Sequence, residues 1–100
     1  MSGGPLKLRP ALLLATLPGP YQNRLLCGIS TQLHQQQGNW DELIQPSDAD
    51  FAASGLHRAS VVRLSYLYAA DASEIVGSIG SIGQTRLDRL RTRLADYVRP

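Results

Sequence analysis

The chain has 100 residues, of which 43% are hydrophobic and 18% charged, a balance that suits one domain over residues 1–100 with a compact core and argues against intrinsic disorder. No apolar stretch reaches the roughly 18 to 20 residues of a membrane-spanning helix, and the N-terminus lacks the basic-then-apolar pattern of a signal peptide, so the expected compartment is the cytoplasm, with no membrane partner. The formal net charge is +2, all but one of the cationic residues are arginines, and the single cysteine, Cys27, excludes an internal disulfide framework.

In chain order, the signals are mostly those of short strands divided by turn residues. Residues 1–8, beginning MSGGP, read as a loose lead-in. A first strand at about residues 10–16 is apolar on both faces, as in a strand covered from both sides, and PGPY at 18–21 forces a turn. The second strand is RLLCGIST, residues 24–31, with Cys27 as a small core filler rather than a nucleophile. Residues 40–55 form a connection with one short strand near Glu42 to Ile44. SVVRLSYLY at 60–68 is rich in β-branched and aromatic residues, and EIVGSIGSI at 74–82 reads as a further strand whose glycines suggest tight curvature or close backbone approach.

From Gln84 the period changes. Leu87, Leu90, Leu94 and Tyr97 or Val98 fall at helical spacing, and Thr85 with Asp88 resembles a capping box. Arg86, Arg89, Arg91, Arg93 and Arg99 crowd this helix. They could meet phosphates, but a basic run on an amphipathic helix reads first as its solvated face. The expected fold is mainly β: a small, curved antiparallel sheet or open barrel carrying a C-terminal α-helix.

Alternation assigns faces. In the second strand Leu25, Cys27, Ile29 and Thr31 share one face, and Leu26, Gly28 and Ser30 the other. In the 60–68 strand Val62, Leu64, Tyr66 and Tyr68 share a face, with Arg63 and Ser65 opposite, beside Val61 and Leu67. A mid-strand charge is costly if buried unpaired, so Arg63 is expected to face solvent, a partner or a site.

The stretches KLRPALLLA, LLCGISTQ, SGLHRASVVRLSYL and EIVGSIGSI, followed by a leucine-arginine helix, resemble in the same order the PemK/MazF family of toxins from bacterial toxin–antitoxin systems, across about residues 6 to 98. The resemblance implies an SH3-like barrel, a homodimer, and a metal-independent endoribonuclease that cuts single-stranded RNA and is silenced by a cognate antitoxin. It also implies that the family's first strand, with its Gly-Asp start, would precede residue 1. In such enzymes the ribose 2′-hydroxyl attacks the adjacent phosphate, leaving a cyclic phosphate and a 5′-hydroxyl.

By the same resemblance Arg9 matches the family's Arg-Pro arginine, assigned charge stabilisation and proton transfer, and Ser30 aligns with a catalytic threonine. Arg63 keeps a family active-site arginine, whereas Ser65 stands where one branch has an aspartate. Pro10 and the apolar strand after it would turn Arg9 from a flexible cation into a positioned one. Thr31 is the neighbouring candidate hydroxyl, and with Ser65 and His34 it forms the candidate RNA-contacting set; His57 reads as a surface residue. Neither histidine has metal-ligand spacing, and no cofactor is expected. The second reading is a catalytically inactive module of the same fold that binds an antitoxin or another protein target.

Overall fold

The computed structural model describes residues 8–99, so the lead-in expected over residues 1–8 lies, except for Leu8, outside the described residues. Four strands form one antiparallel sheet: β1 (Ala11–Thr16), β2 (Arg24–Ser30), β3 (Glu42–Ile44) and β4 (Ser60–Ala70), in the order β1-β2-β4-β3. A short helix, α1 (Phe51–Ser54), precedes β4, and α2 (Gln84–Val98) closes the chain. The architecture is thus mainly β with a C-terminal helix. Two single-turn 3₁₀ segments, Leu33–Gln35 and Ala72–Glu74, complete it.

The helix packs its leucine stripe on one face of the sheet. Leu14, Cys27, Ile44, Val62, Leu64 and Leu90 form the fully buried cluster, with Leu87 and Leu94 packed against it. Cys27 is a core residue as expected: burial, and then the charge of Asp41, push its thiol up to about 12, far from the thiolate that nucleophilic chemistry needs. Tyr97 and Val98 fall outside the stripe. Tyr97 is 73% exposed and lies on the Trp40 ring, centroids 4.9 Å apart.

Two irregularities shape the sheet. Between β1 and β2 the register shifts around Leu14, from Leu13↔Leu26 to Ala15↔Leu25. Between β2 and β4 it jumps from Cys27↔Leu67 to Gly28↔Arg63, leaving Leu64, Ser65 and Tyr66 without partners on β2. Such a bulge bends a strand and re-aims its side chains. It overturns the alternation expected over residues 60–68: Val62 and Leu64 enter the core, whereas Tyr66 and Tyr68 lie on the opposite face, 53% and 38% exposed.

The Ser65 amide, at the centre of the bulge, finds its partner far along the chain. Asp41, only 2% exposed, accepts from the Ser65 amide at 2.8 Å, the Ser65 hydroxyl at 2.9 Å and the Gln37 amide at 2.9 Å. A buried carboxylate needs several donors, and this one uses them to pin the bulge to the loop before β3.

Three further expectations change. The 74–82 strand does not form, because its backbone is bonded to α1 rather than to a sheet neighbour. Ser81 donates its amide to the Ala53 carbonyl at 2.9 Å, and a Cβ at Gly80 would sit 2.2 Å from that same oxygen. The close approach foreseen from the glycines is real, but it is to a helix. The Thr85–Asp88 capping box is also absent. Gly83 is the N-cap of α2, and its amide donates to Asp50 at 2.9 Å, while Asp88 accepts from Gln84 instead. Finally, β1 is an edge strand rather than one covered on both faces: Leu14 is buried, but Leu13 is 46% exposed.

Candidate phosphate-binding site

Backbone pairing builds this site. Arg9 lies two residues ahead of β1, and the Ile29 amide donates to the Pro10 carbonyl at 3.3 Å, so the Arg9-Pro10 step is held against the end of β2. Ser30 is the last residue of β2 and pairs with Val61, while Gly28 pairs with both Ala11 and Arg63. Three sequence-distant segments therefore deliver Arg9, Ser30 and Arg63 to one end of the sheet. The period-two rule places the Arg9, Ala11, Gly28, Ser30 and Arg63 positions on one face, opposite α2.

The Ser30 oxygen accepts from the Gln32 amide at 3.0 Å, a turn that fixes the hydroxyl and leaves its proton available to a ligand. Arg63 is half-buried. Its Nε is buried with no hydrogen-bond partner among the described residues, and its guanidinium carbon lies 5.4 Å from the Tyr66 ring centroid. Tyr66 in turn meets Tyr68 edge-on, centroids 5.7 Å apart. Among the described residues, no carboxylate lies within salt-bridge distance of Arg9 or Arg63. An anion is what this group lacks.

The remaining candidates separate. Thr31 and His34 are exposed beyond the end of β2, His34 on the 3₁₀ turn that lies beside β4. Ser65 is not brought to the group: its hydroxyl proton goes to Asp41, and it borders a shallow groove with Trp40, Leu67 and Leu94 on the α2 side. Sequence reading did not connect Tyr66 to Arg63. The three-residue bulge hides that juxtaposition from any period-two count. His57 lies exposed just before β4.

The α2 arginines form the opposite environment. Arg86 reaches Asp50 with Nε at 2.8 Å and a second nitrogen at 3.1 Å, Glu42 at 3.0 Å, Asp48 at 3.1 Å and the Leu43 carbonyl at 3.1 Å. Arg89 and Arg93 both bond Glu42, and Arg91 bonds the Leu14 carbonyl at 2.9 Å. Arg89, Arg91 and Arg99 are exposed, in keeping with a solvated face, whereas Arg86 and Arg93 are part-buried and paired within the molecule.

The charges respond accordingly. The hydrogen bond from Arg86, against opposing burial and helped by the Gly83 amide, holds the Asp50 carboxyl down at about 2. Burial pushes Glu42 up, but the hydrogen bonds and charges of Arg89 and Arg93 together outweigh it and keep its carboxyl below the ordinary value.

Among the described residues no three His, Cys, Asp or Glu side chains gather as a metal site, and no helix is long and apolar enough to cross a membrane. Compared with known proteins, the chain matches no family model, and no curated protein aligns with it significantly.

Proposed function

We propose that the chain is a PemK/MazF-type toxin, an endoribonuclease that cleaves single-stranded RNA by 2′-hydroxyl attack without a metal, acts in the cytoplasm as a homodimer, and is neutralised by an antitoxin. The observation that carries this reading is the meeting of Arg9, Ser30 and Arg63 on one face at one end of the sheet, with no carboxylate in salt-bridge reach of either arginine among the described residues. Everything else in the reading rests on the sequence resemblance.

Transesterification places these groups in distinct roles. The 2′-oxygen forms a bond to phosphorus, the bond to the 5′-oxygen breaks, and negative charge builds on the equatorial oxygens of the pentavalent phosphorus. Arg63, positioned by β4 and the Tyr66 ring, stabilises that charge. Ser30 donates its free proton to a phosphoryl oxygen. Arg9, its backbone held through Pro10 and the Ile29 amide, neutralises charge and delivers a proton to the leaving 5′-oxygen, the role the resemblance assigns to it, and regains a proton from solvent. The proton released by the 2′-hydroxyl passes to solvent.

The test is incubation of the purified chain with a long unstructured RNA, with and without EDTA, followed by end-group analysis. The expected products carry 2′,3′-cyclic phosphate and 5′-hydroxyl ends in equal amounts in both samples, and a 2′-deoxy version is left uncut. A folded chain that leaves RNA intact but binds antitoxin would replace the nuclease with the inactive binding module.

A further inference from the structure

We propose that Tyr66, held by Arg63 and Tyr68, is a stacking platform for an unpaired RNA base beside the phosphate that Arg9, Ser30 and Arg63 bind. The inference rests on the RNA reading above and adds to it the surface that receives the nucleobase.

Tyr66 is placed by construction. The bulge at Leu64–Tyr66 turns its ring away from the core, and Asp41 holds that bulge by accepting both the amide and the hydroxyl of Ser65. The ring lies against Gly28 on the neighbouring strand: a Cβ there would meet it at 3.7 Å, an ordinary van der Waals contact. The Arg63 guanidinium, 5.4 Å from the ring centroid, and Tyr68, nearly perpendicular to the ring, also pack against it. An aromatic side chain gripped this closely, yet 53% exposed, has its orientation fixed without being consumed by the core.

The charge around the ring selects the occupant. An apolar protein surface would gain from Leu13, Tyr66 and Tyr68, but it would finish burying the half-buried Arg63 guanidinium, which has no carboxylate partner among the described residues, a desolvation cost that such a surface does not offset. Single-stranded nucleic acid satisfies both demands at once, a phosphate for the guanidinium and a base for the ring, because stacking platforms beside cations are how such strands are held. Every base has a π-face, so the platform supplies affinity and register more than sequence preference.

The test uses the full chain and a mixed-sequence single-stranded oligodeoxynucleotide, which carries no 2′-hydroxyl and cannot be cut, beside the same length of abasic sugar-phosphate chain. Tyr66→Ala and Tyr66→Leu should each weaken binding of the base-bearing strand by about tenfold or more, the range of one lost base–aromatic stack. Tyr66→Phe should retain it, and the abasic strand should bind wild type and variants alike. Tyr66→Leu keeps apolar bulk, so its loss with an unchanged unfolding midpoint separates stacking from folding. Equal binding by wild type and both variants overturns the platform, as does a loss of the same size on the abasic strand. So does a wild type that binds no strand but whose self-association is abolished by Tyr66→Ala. If Tyr66 matters for binding while RNA stays uncut, the platform stands and the nuclease falls. If RNA is cut and Tyr66→Leu changes nothing, the reverse holds.

Discussion

The arginines of α2 and those at the open end of the sheet are the same side chain in two electrostatic settings. Arg86 meets three carboxylates and a carbonyl, and its side chain is only 11% exposed. Arg63, by contrast, has a buried Nε with no acceptor among the described residues, and its guanidinium lies over the Tyr66 ring. The first environment closes its charge inside the molecule and joins β3, the loop before α1 and the helix into one unit. The second holds a cation in place with no carboxylate partner among the described residues. Density of arginine along the sequence is therefore a poor guide to free charge: Arg86, Arg89 and Arg93 of the crowded run are paired with carboxylates, and the isolated Arg9 and Arg63 are the candidates for binding.

Breaking the scaffold side should have the largest effect. Arg86→Ala leaves Glu42, Asp48 and Asp50 without their shared cation, and breaking a buried charge cluster by removing one partner costs about 3 to 5 kcal/mol. Denaturant unfolding should register this as a lower midpoint, while the fraction that remains folded keeps its RNA affinity.

The same network sets an acid limit. The Asp50 and Glu42 carboxyls are held below their ordinary values, so their contribution is complete above the unfolded pKa and is lost as pH falls through the folded one. For Asp50 that window runs from its ordinary 3.8 down to about 2. Unfolding midpoints measured across it should fall steeply in wild type and less steeply in Arg86→Ala.

On the sheet side, Ser30→Ala removes one proton donor to a charged phosphate. It should lower kcat/KM about tenfold, close to the lower value of a hydrogen bond to a charged group, and Ser30→Thr should restore it. The smallest effect is expected at Arg89. Its side chain is 47% exposed, and surface ion pairs are worth roughly 0 to 1 kcal/mol, so Arg89→Ala should move the unfolding midpoint little.

Much of this architecture is legible in the sequence because it depends on local pattern. The strands at 11–16, 24–30 and 42–44 and the helix from Gln84 fall where alternation, turn residues and the leucine spacing place them. What the sequence hides depends on partners far along the chain. The β4 bulge is held by Asp41, 24 residues before Ser65, and no count within SVVRLSYLY reveals it. The cap of α2 comes from Asp50, 33 residues before Gly83, so the local Thr85–Asp88 pair is a false signal. Glycines in 74–82 report close approach without saying whether the neighbour is a strand or a helix. For the site, Arg9, Ser30 and Arg63 could be named one by one, but their shared face follows from register, and Tyr66 joins them only through the bulge.

The most direct test of the central claim, that the sheet-end arginines are reserved for RNA, is cleavage of a long unstructured RNA by wild type and by Arg9→Ala, purified in parallel with their unfolding curves measured. Arg9 lies exposed ahead of β1, so the variant should fold as wild type does. Its kcat/KM should fall about 10²- to 10³-fold, the loss of one preorganised charge-stabilising group. Equal cleavage by the two folded proteins would contradict the claim and remove Arg9 from the mechanism.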